Sequence, residues 1–211
     1  MATVLAPPAE QRVRLSGISW ETYERLLAEH EGRQSPRFTY DRGELEILVI
    51  SFEHEEVNRL LHDLFTAWAE ERGVDFINAG STTLKRQDLD RGFEPDTCIY
   101  IRNAGSIRGK RRIELPRDPP PDLVIEVGIT SPSIDKMGLY SAMGVAEVWW
   151  YDAASLRFFA LEGGKYSTRA ESAVSPGLTS EVASRLFEDA KSEPRNVWIR
   201  KVRDWAKAHP A

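Results

Sequence analysis

The feature that most constrains the fold is an apolar run interrupted by one acid, Leu123-Val-Ile-Glu-Val127. Successive apolar residues place side chains on both faces of a strand, so the run predicts a strand buried on both sides. Glu126 lies inside it. A buried, unpaired carboxylate costs on the order of several kcal/mol. The fold must therefore supply a partner for Glu126.

Length and composition limit the number of domains and indicate the cellular compartment. With 211 residues, 41% of them hydrophobic, the chain is long enough for one well-packed domain. We expect a loose, Pro- and Ala-rich tail over 1–14 and a single domain over 15–211. No apolar run reaches membrane-spanning length, and we find no signal peptide. One cysteine, Cys98, excludes an internal disulfide and a cysteine-rich zinc site, which fits a reducing cytoplasm.

Periodicity and turn residues predict alternating hairpins and helices. Helices are expected at 20–30, capped by Ser19, at 51–73, from Ser133 to Gly144, and near 179–190 and 195–208. A hairpin is expected from strands 37–41 and 44–50, with further strands in 74–80, 82–86, 94–101, 122–129, 145–153, 156–163 and 165–169. This order predicts an α/β fold with a mixed, mainly antiparallel central sheet flanked by helices. The roughly twenty residues before Asp122 suggest a working loop or lid.

Two of these strands carry a pair of carboxylates. If 94–101 and 122–129 are antiparallel neighbours, Asp96 lies opposite Glu126 with their β-carbons roughly 5 Å apart. Two adjacent buried carboxylates repel each other, and a shared cation removes the repulsion. Hard carboxylate oxygens with waters suit Mg²⁺ or Mn²⁺. A turn role for Asp96 is the alternative. Asp122, about 13 Å along the strand from Glu126, is expected to be scaffold.

Lys136 and Tyr140 follow on the next helix. Lys136, expected about one turn from the helix start, can return to the strand end and stabilise charge on a phosphate. Tyr140 lies on the same helix face and can contact the phosphate or orient Lys136. The sequence leaves open an exposed Lys136 and a core-packing role for Tyr140.

These residues carry a family resemblance. "EPD", "PDLVIEV" and "DK…LY…GV.EVWWYD" are similar to the Uma-type family of restriction endonucleases, part of the PD-(D/E)XK nuclease superfamily. The resemblance covers roughly residues 15–205 and implies a restriction-endonuclease-like core. It identifies Pro95-Asp96 as the "PD" and Glu126 as the second acid.

The resemblance also implies further site residues. The superfamily's simplest pattern has a lysine two residues after the second acid, where this chain has Gly128. The lysine is therefore expected to have moved to Lys136. A carbonyl near Val127 is implied as a metal ligand. A first-helix glutamate is implied too, for which Glu56 is favoured and His54 is the other candidate.

The implied function is Mg²⁺-dependent hydrolysis of phosphodiester bonds in nucleic acid, with DNA as the favoured substrate. The net charge of −5 argues against a broadly basic nucleic-acid-binding surface. Two basic segments, 85–91 and 108–112, are either solvated loops or contacts to the nucleic-acid backbone. One alternative is a catalytically inactive nucleic-acid-binding or structural domain of the same fold, which the acidic charge and the displaced lysine favour. Another is a hydrolase for a small phosphate ester. Two sites suit the cutting of both strands, so a homodimer is expected, with the face of Trp198 and Trp205 either as its interface or packed on its own domain.

Overall fold

The computed structural model describes residues 10–33, 35–128 and 134–210, which form two β-sheets flanked by helices. The strands are β1 Glu10–Leu15, β2 Arg37–Asp41, β3 Glu44–Ile50, β4 Ile77–Gly80, β5 Leu84–Arg86, β6 Arg91–Phe93, β7 Thr97–Tyr100, β8 Leu123–Val127, β9 Glu147–Tyr151, β10 Leu156–Glu162 and β11 Lys165–Arg169. The helices are α1 Trp20–Glu29, α2 Phe52–Glu71, α3 Ala104–Ile107, α4 Lys136–Met143, α5 Ser180–Ala190 and α6 Arg195–Ala208, with a 3₁₀ turn at Gln87–Leu89.

The strands form a small sheet and a large sheet. The small sheet has five strands in the order β1-β3-β2-β6-β5, and the large sheet has six in the order β11-β10-β9-β8-β7-β4. Only the pair of β8 and β9 is parallel among the described strands. The expected mixed, mainly antiparallel α/β architecture is confirmed, but it consists of two sheets where we expected one central sheet.

Strand β8 lies in the middle of the large sheet, and its side chains alternate between two cores. Leu123, Ile125 and Val127 face the core built with α2, α5 and α6. Val124 faces the opposite core, which contains Leu139 of α4. Because side chains alternate along a strand, Glu126 shares the face of Val124 and points to the side of α4.

The chain crosses between the sheets immediately before Asp96. Strand β6 belongs to the small sheet and β7 to the large one. Glu94 stabilises the crossing, because its carboxylate accepts hydrogen bonds from the Phe38 N–H at 2.9 Å and the Thr83 hydroxyl at 2.8 Å. Asp96 is thereby held where the two sheets meet.

Some expected boundaries are wrong. Residues 10–14 were expected in the loose tail, but they belong to β1, which pairs along β3. The long loop before Asp122 contains α3, and the sequence patterns also missed β6. Helix α4 begins at Lys136, capped by Asp135, whose carboxylate accepts from the Gly138 N–H at 3.0 Å. The expected cap Ser133 lies outside the described residues.

The face of Trp198 packs against its own domain. Trp198 is buried, and its indole N–H donates to the Leu186 carbonyl at 2.6 Å. Trp205 stacks on His209 with ring centroids 4.9 Å apart. The expectation of a dimer interface through Trp198 is therefore not supported by its position. Among the described residues, no helix is long and apolar enough to span a membrane.

Glu147 is a buried acid that holds the segment 172–174, which precedes α5. Its carboxylate accepts four hydrogen bonds, from Trp149 Nε1 at 2.7 Å, Ser172 Oγ at 2.6 Å, Ala173 N at 2.7 Å and Val174 N at 3.2 Å.

We predict that Glu147→Gln lowers the free energy of unfolding by about 1–3 kcal/mol, because the NH₂ group of the new amide would face hydrogen-bond donors. Urea denaturation measures this. The exposed Glu29→Gln should change stability by less than about 0.5 kcal/mol, and an equal loss in both variants would contradict the assignment.

Candidate active site

Antiparallel pairing of β7 and β8 brings the two predicted acids together. Thr97 lies opposite Ile125, so the next position places Asp96 opposite Glu126. Both are buried, with 4% and 1% of their surface exposed. The predicted pairing of the two strands is confirmed. The fold therefore holds two carboxylates side by side in a low-dielectric environment.

Helix α4 supplies two partners of Glu126. Lys136 Nζ donates to Glu126 Oε2 at 2.6 Å, and the Tyr140 hydroxyl donates to Oε1 at 2.7 Å. Lys136 is itself buried, so it is not the exposed lysine of the alternative interpretation. Burial, with Glu126 nearby, raises the pKa of Tyr140 well above its ordinary value, so the phenol stays protonated and donates. Tyr140 orients Glu126 and not Lys136.

Trp150 explains why the lysine comes from a helix. Gly128 is two residues after Glu126, where the sequence resemblance led us to look for a lysine. Trp150 lies opposite Glu126 on β9, and a β-carbon at Gly128 would lie 3.0 Å from its indole ring. A side chain at position 128 would therefore force the indole to shift by a few tenths of an ångström. Lys136 reaches Glu126 from α4 instead.

Asp96 is held by donors from several elements. Its Oδ2 accepts from the Val127 N–H at 2.7 Å, and its Oδ1 accepts from the Arg37 guanidinium and lies 2.8 Å from His54 Nε2. Its main-chain carbonyl accepts from Asn58 at 3.2 Å. Because an extended residue directs its N–H and C=O to the same strand edge, the Val127 carbonyl also faces the edge of Asp96.

His54 links Asp96 to a second buried acid. Its Nδ1 lies 2.6 Å from Glu10 Oε1, while its Nε2 faces Asp96. Both ring nitrogens thus lie within hydrogen-bonding distance of a buried carboxyl group. Arg12 extends the network by donating to Glu10 and Glu46, each at 2.9 Å. Sequence reasoning missed Glu10, because the segment was assigned to a loose tail.

Arg37 is a further site residue that the sequence patterns did not indicate. Only 6% of it is exposed, and besides Asp96 it lies 3.7 Å from Glu55. Burial lowers the pKa of the Arg37 guanidinium from its ordinary value, and the carboxylates of Glu126, Glu55 and Glu94 oppose that shift. Nothing about an arginine at the start of a strand marks it as a site residue.

The favoured first-helix acid, Glu56, is not in the site. Glu56 is exposed and makes no hydrogen bond or ion pair with any residue that the structure describes. His54 and Glu55 point to Asp96 and Arg37 instead. The apolar stripe of α2 predicts which side chains face the interior. His54 lies three residues before Val57 and therefore near its face of the helix, whereas Glu56 is rotated from Val57 by about 100° around the helix axis.

The two basic segments are largely neutralised by acids. The ion pairs are Lys85–Glu24, Arg86–Asp88, Arg91–Asp41, Arg108–Asp75, Lys110–Asp118 and Arg112–Glu31. The segment 108–112 also follows the Tyr100 end of β7, whereas Asp96 precedes the other end. Asp122 lies at that far end, where it accepts from the Ile101 and Arg102 N–H groups as expected of scaffold.

The donor set fits a hard divalent cation. Among the described residues, no group of three or more His, Cys, Asp and Glu side chains is arranged to hold a metal. The set here comprises the carboxylates of Asp96 and Glu126 and the carbonyl of Val127. Mg²⁺ is commonly bound by one or two carboxylates, with waters and substrate phosphates completing the shell. Each carboxylate keeps lone pairs beyond those used by the protein donors.

The buried pair of Lys136 and Glu126 should be strongly coupled in stability. Lys136→Met removes the ammonium that neutralises a buried carboxylate, and we predict that the free energy of unfolding falls by about 3 kcal/mol. Glu126→Gln leaves the buried ammonium unpaired, whereas the double variant removes both charges. We predict a coupling energy of about 2 kcal/mol from the four urea unfolding curves. Additive single effects would show that the pair is not formed.

Comparisons with known proteins agree with this fold. The crystal structure of a protein described as a "putative nuclease belonging to DUF820", from Anabaena variabilis ATCC 29413, matches with a TM-score of 0.53 and 14% identity. The match covers 81% of this chain and 99% of that chain. No curated protein matches the chain. The profile of the Uma2 family, described as "Putative restriction endonuclease", matches residues 20–188. The chain belongs to the Uma2 family.

Proposed function

We propose that this protein is a divalent-metal-dependent endonuclease that hydrolyses phosphodiester bonds in DNA. The observation that carries the proposal is the buried pair of Asp96 and Glu126 with Lys136 at 2.6 Å from the second acid. Membership of a family described as restriction endonucleases supports nuclease activity.

Asp96, Glu126 and the Val127 carbonyl would hold Mg²⁺ or Mn²⁺. When bound, the ion would neutralise charge on the phosphate and make water more acidic. The protein groups have separate tasks. Tyr140 orients Glu126, and His54 with the Val127 N–H orients Asp96. Lys136 stabilises negative charge that develops on the phosphate oxygens as water adds to phosphorus and the ester oxygen leaves.

The argument for an inactive relative is weakened by the position of Lys136. Displacement of the lysine from position 128 favoured a domain that retains the fold without cleavage. The lysine nevertheless lies on Glu126, and the indole of Trp150 gives a steric reason for the change. A displaced lysine therefore does not argue for lost activity.

Cleavage of circular DNA tests the proposal. We predict that the wild-type protein nicks or linearises plasmid with Mg²⁺ or Mn²⁺, and that a chelator stops the reaction. Asp96→Asn and Glu126→Gln should lower the rate by at least about 10³-fold, since each removes charge from the metal site. Full activity of either variant, or unchanged activity in chelator, would contradict the proposed site. Activity on a small phosphate diester without any on DNA would favour the small-ester alternative.

Glu56 and Glu55 form a matched pair for locating the site on α2. We predict that Glu56→Gln leaves the cleavage rate within about twofold of wild type, because its side chain points to solvent. Glu55→Gln, which removes a carboxylate near Arg37, should change the dependence of the rate on Mg²⁺ concentration. A large loss in Glu56→Gln alone would restore the original first-helix assignment. Circular dichroism confirms that both variants are folded.

A further inference from the structure

Arg37 lies beside Asp96, one of the two acids that the proposed function assigns to the metal. Its backbone is fixed beside the sheet crossing, because Phe38 donates to Glu94 at 2.9 Å and accepts from the Glu94 N–H at 3.1 Å. Its guanidinium binds Asp96 and lies 3.7 Å from Glu55. The carboxylate of Glu126, which lies opposite Asp96, also favours the charged form of Arg37. One cation thus faces three acids.

The hydrogen bonding of Arg37 is incomplete for a buried arginine. A guanidinium has five N–H donors. Among the described residues, its buried Nε has no hydrogen-bond partner, and the contact to Glu55 at 3.7 Å is too long for a hydrogen bond. A purely structural arginine would be expected to satisfy these donors. Arg37 therefore contributes mainly its charge, and it holds its position with few directional contacts.

We propose that Arg37 is an internal counter-ion that neutralises Asp96, Glu126 and Glu55 in the metal-free protein and is displaced when a divalent cation binds. The inference rests on the proposed function, since it concerns the same carboxylates. Two cations cannot both take the oxygens of Asp96 without repelling each other. Glu55 is 29% exposed, so the side of the guanidinium that faces Glu55 leads toward solvent.

The inference makes Arg37 a competitor of the metal. Removing its charge should strengthen Mn²⁺ binding, because the ion no longer displaces a bound cation. The same change should destabilise the metal-free protein, because three carboxylates lose their neutralising charge. A merely structural arginine would show the second effect without the first.

Calorimetric titration with Mn²⁺ tests this on the full chain. We expect Arg37→Met to bind Mn²⁺ about tenfold or more tightly than wild type, since a unit charge a few ångströms away has an effect of that order. Arg37→Lys, which retains the charge, should bind like wild type within a few-fold. Arg59→Met is the matched control, because Arg59 contacts the same Glu55 at 2.7 Å but is 68% exposed. It should leave Mn²⁺ affinity nearly unchanged.

Thermal unfolding in chelator and in Mn²⁺ gives a second readout. Arg37→Met should unfold at a lower temperature than wild type in chelator and gain more from Mn²⁺. If that variant folds only with Mn²⁺ present, the proposal is supported. Weaker or equal Mn²⁺ binding by a folded Arg37→Met, or no rescue of an unfolded one, would overturn it. If the wild type and every variant fail to bind Mn²⁺ or Mg²⁺, the proposed metal-dependent function fails as well.

Discussion

The pairing of β7 with β8 is the constraint on which the rest of the site depends. It places Asp96 opposite Glu126, both almost completely buried. Two carboxylates in that environment repel each other unless cations or strong donors surround them. The protein meets this requirement from different elements. Glu126 receives Lys136 from α4, and Asp96 receives Arg37 from β2 and His54 from α2. Neutralising the acid pair thus ties the small sheet, the large sheet and two helices together.

The packing of Trp150 affects which element of the fold supplies the lysine that pairs with Glu126. With the indole against Gly128, a side chain two residues after Glu126 would force the indole to shift by a few tenths of an ångström. Helix α4 replaces it, and its Leu139 and Met143 are buried in the core on the same face of the large sheet. Lys136 and Tyr140 are four residues apart, so both reach the two oxygens of Glu126 from one helix face. The position of Lys136 therefore depends on core packing that lies several residues further along the helix.

The sequence predicts the parts of the site that local patterns encode. A single acid in a doubly buried strand identified Glu126, and helix periodicity located α2 and α4. The periodicity of α2 also indicates that His54 faces the interior and Glu56 does not. The prediction nevertheless favoured Glu56 as the first-helix site residue, because it is the acid nearest to the apolar stripe. Glu10 and Arg37 belong to another class. They reach the site through the small sheet, where β1 pairs with β3 at Glu10–Ile50 and β2 pairs with β6 at Thr39–Phe93. Both pairings join residues more than thirty positions apart, and no local pattern carries that information.

Charge balance shows why metal uptake matters for a phosphate substrate under the proposed function. The acids of the site and its network are Glu10, Glu46, Glu55, Asp96 and Glu126, and the permanent cations are Arg12, Arg37 and Lys136. His54 lies between two of the acids. The basic segments elsewhere are paired with acids, and the chain carries a net charge of −5. Without a metal, the site offers a phosphodiester no excess of positive charge. A bound divalent ion would add two positive charges to the site. By moving Arg37 off Asp96 while the guanidinium stays in the site, it would also free that guanidinium to bind phosphate. The local field would therefore favour phosphate only after the metal is bound.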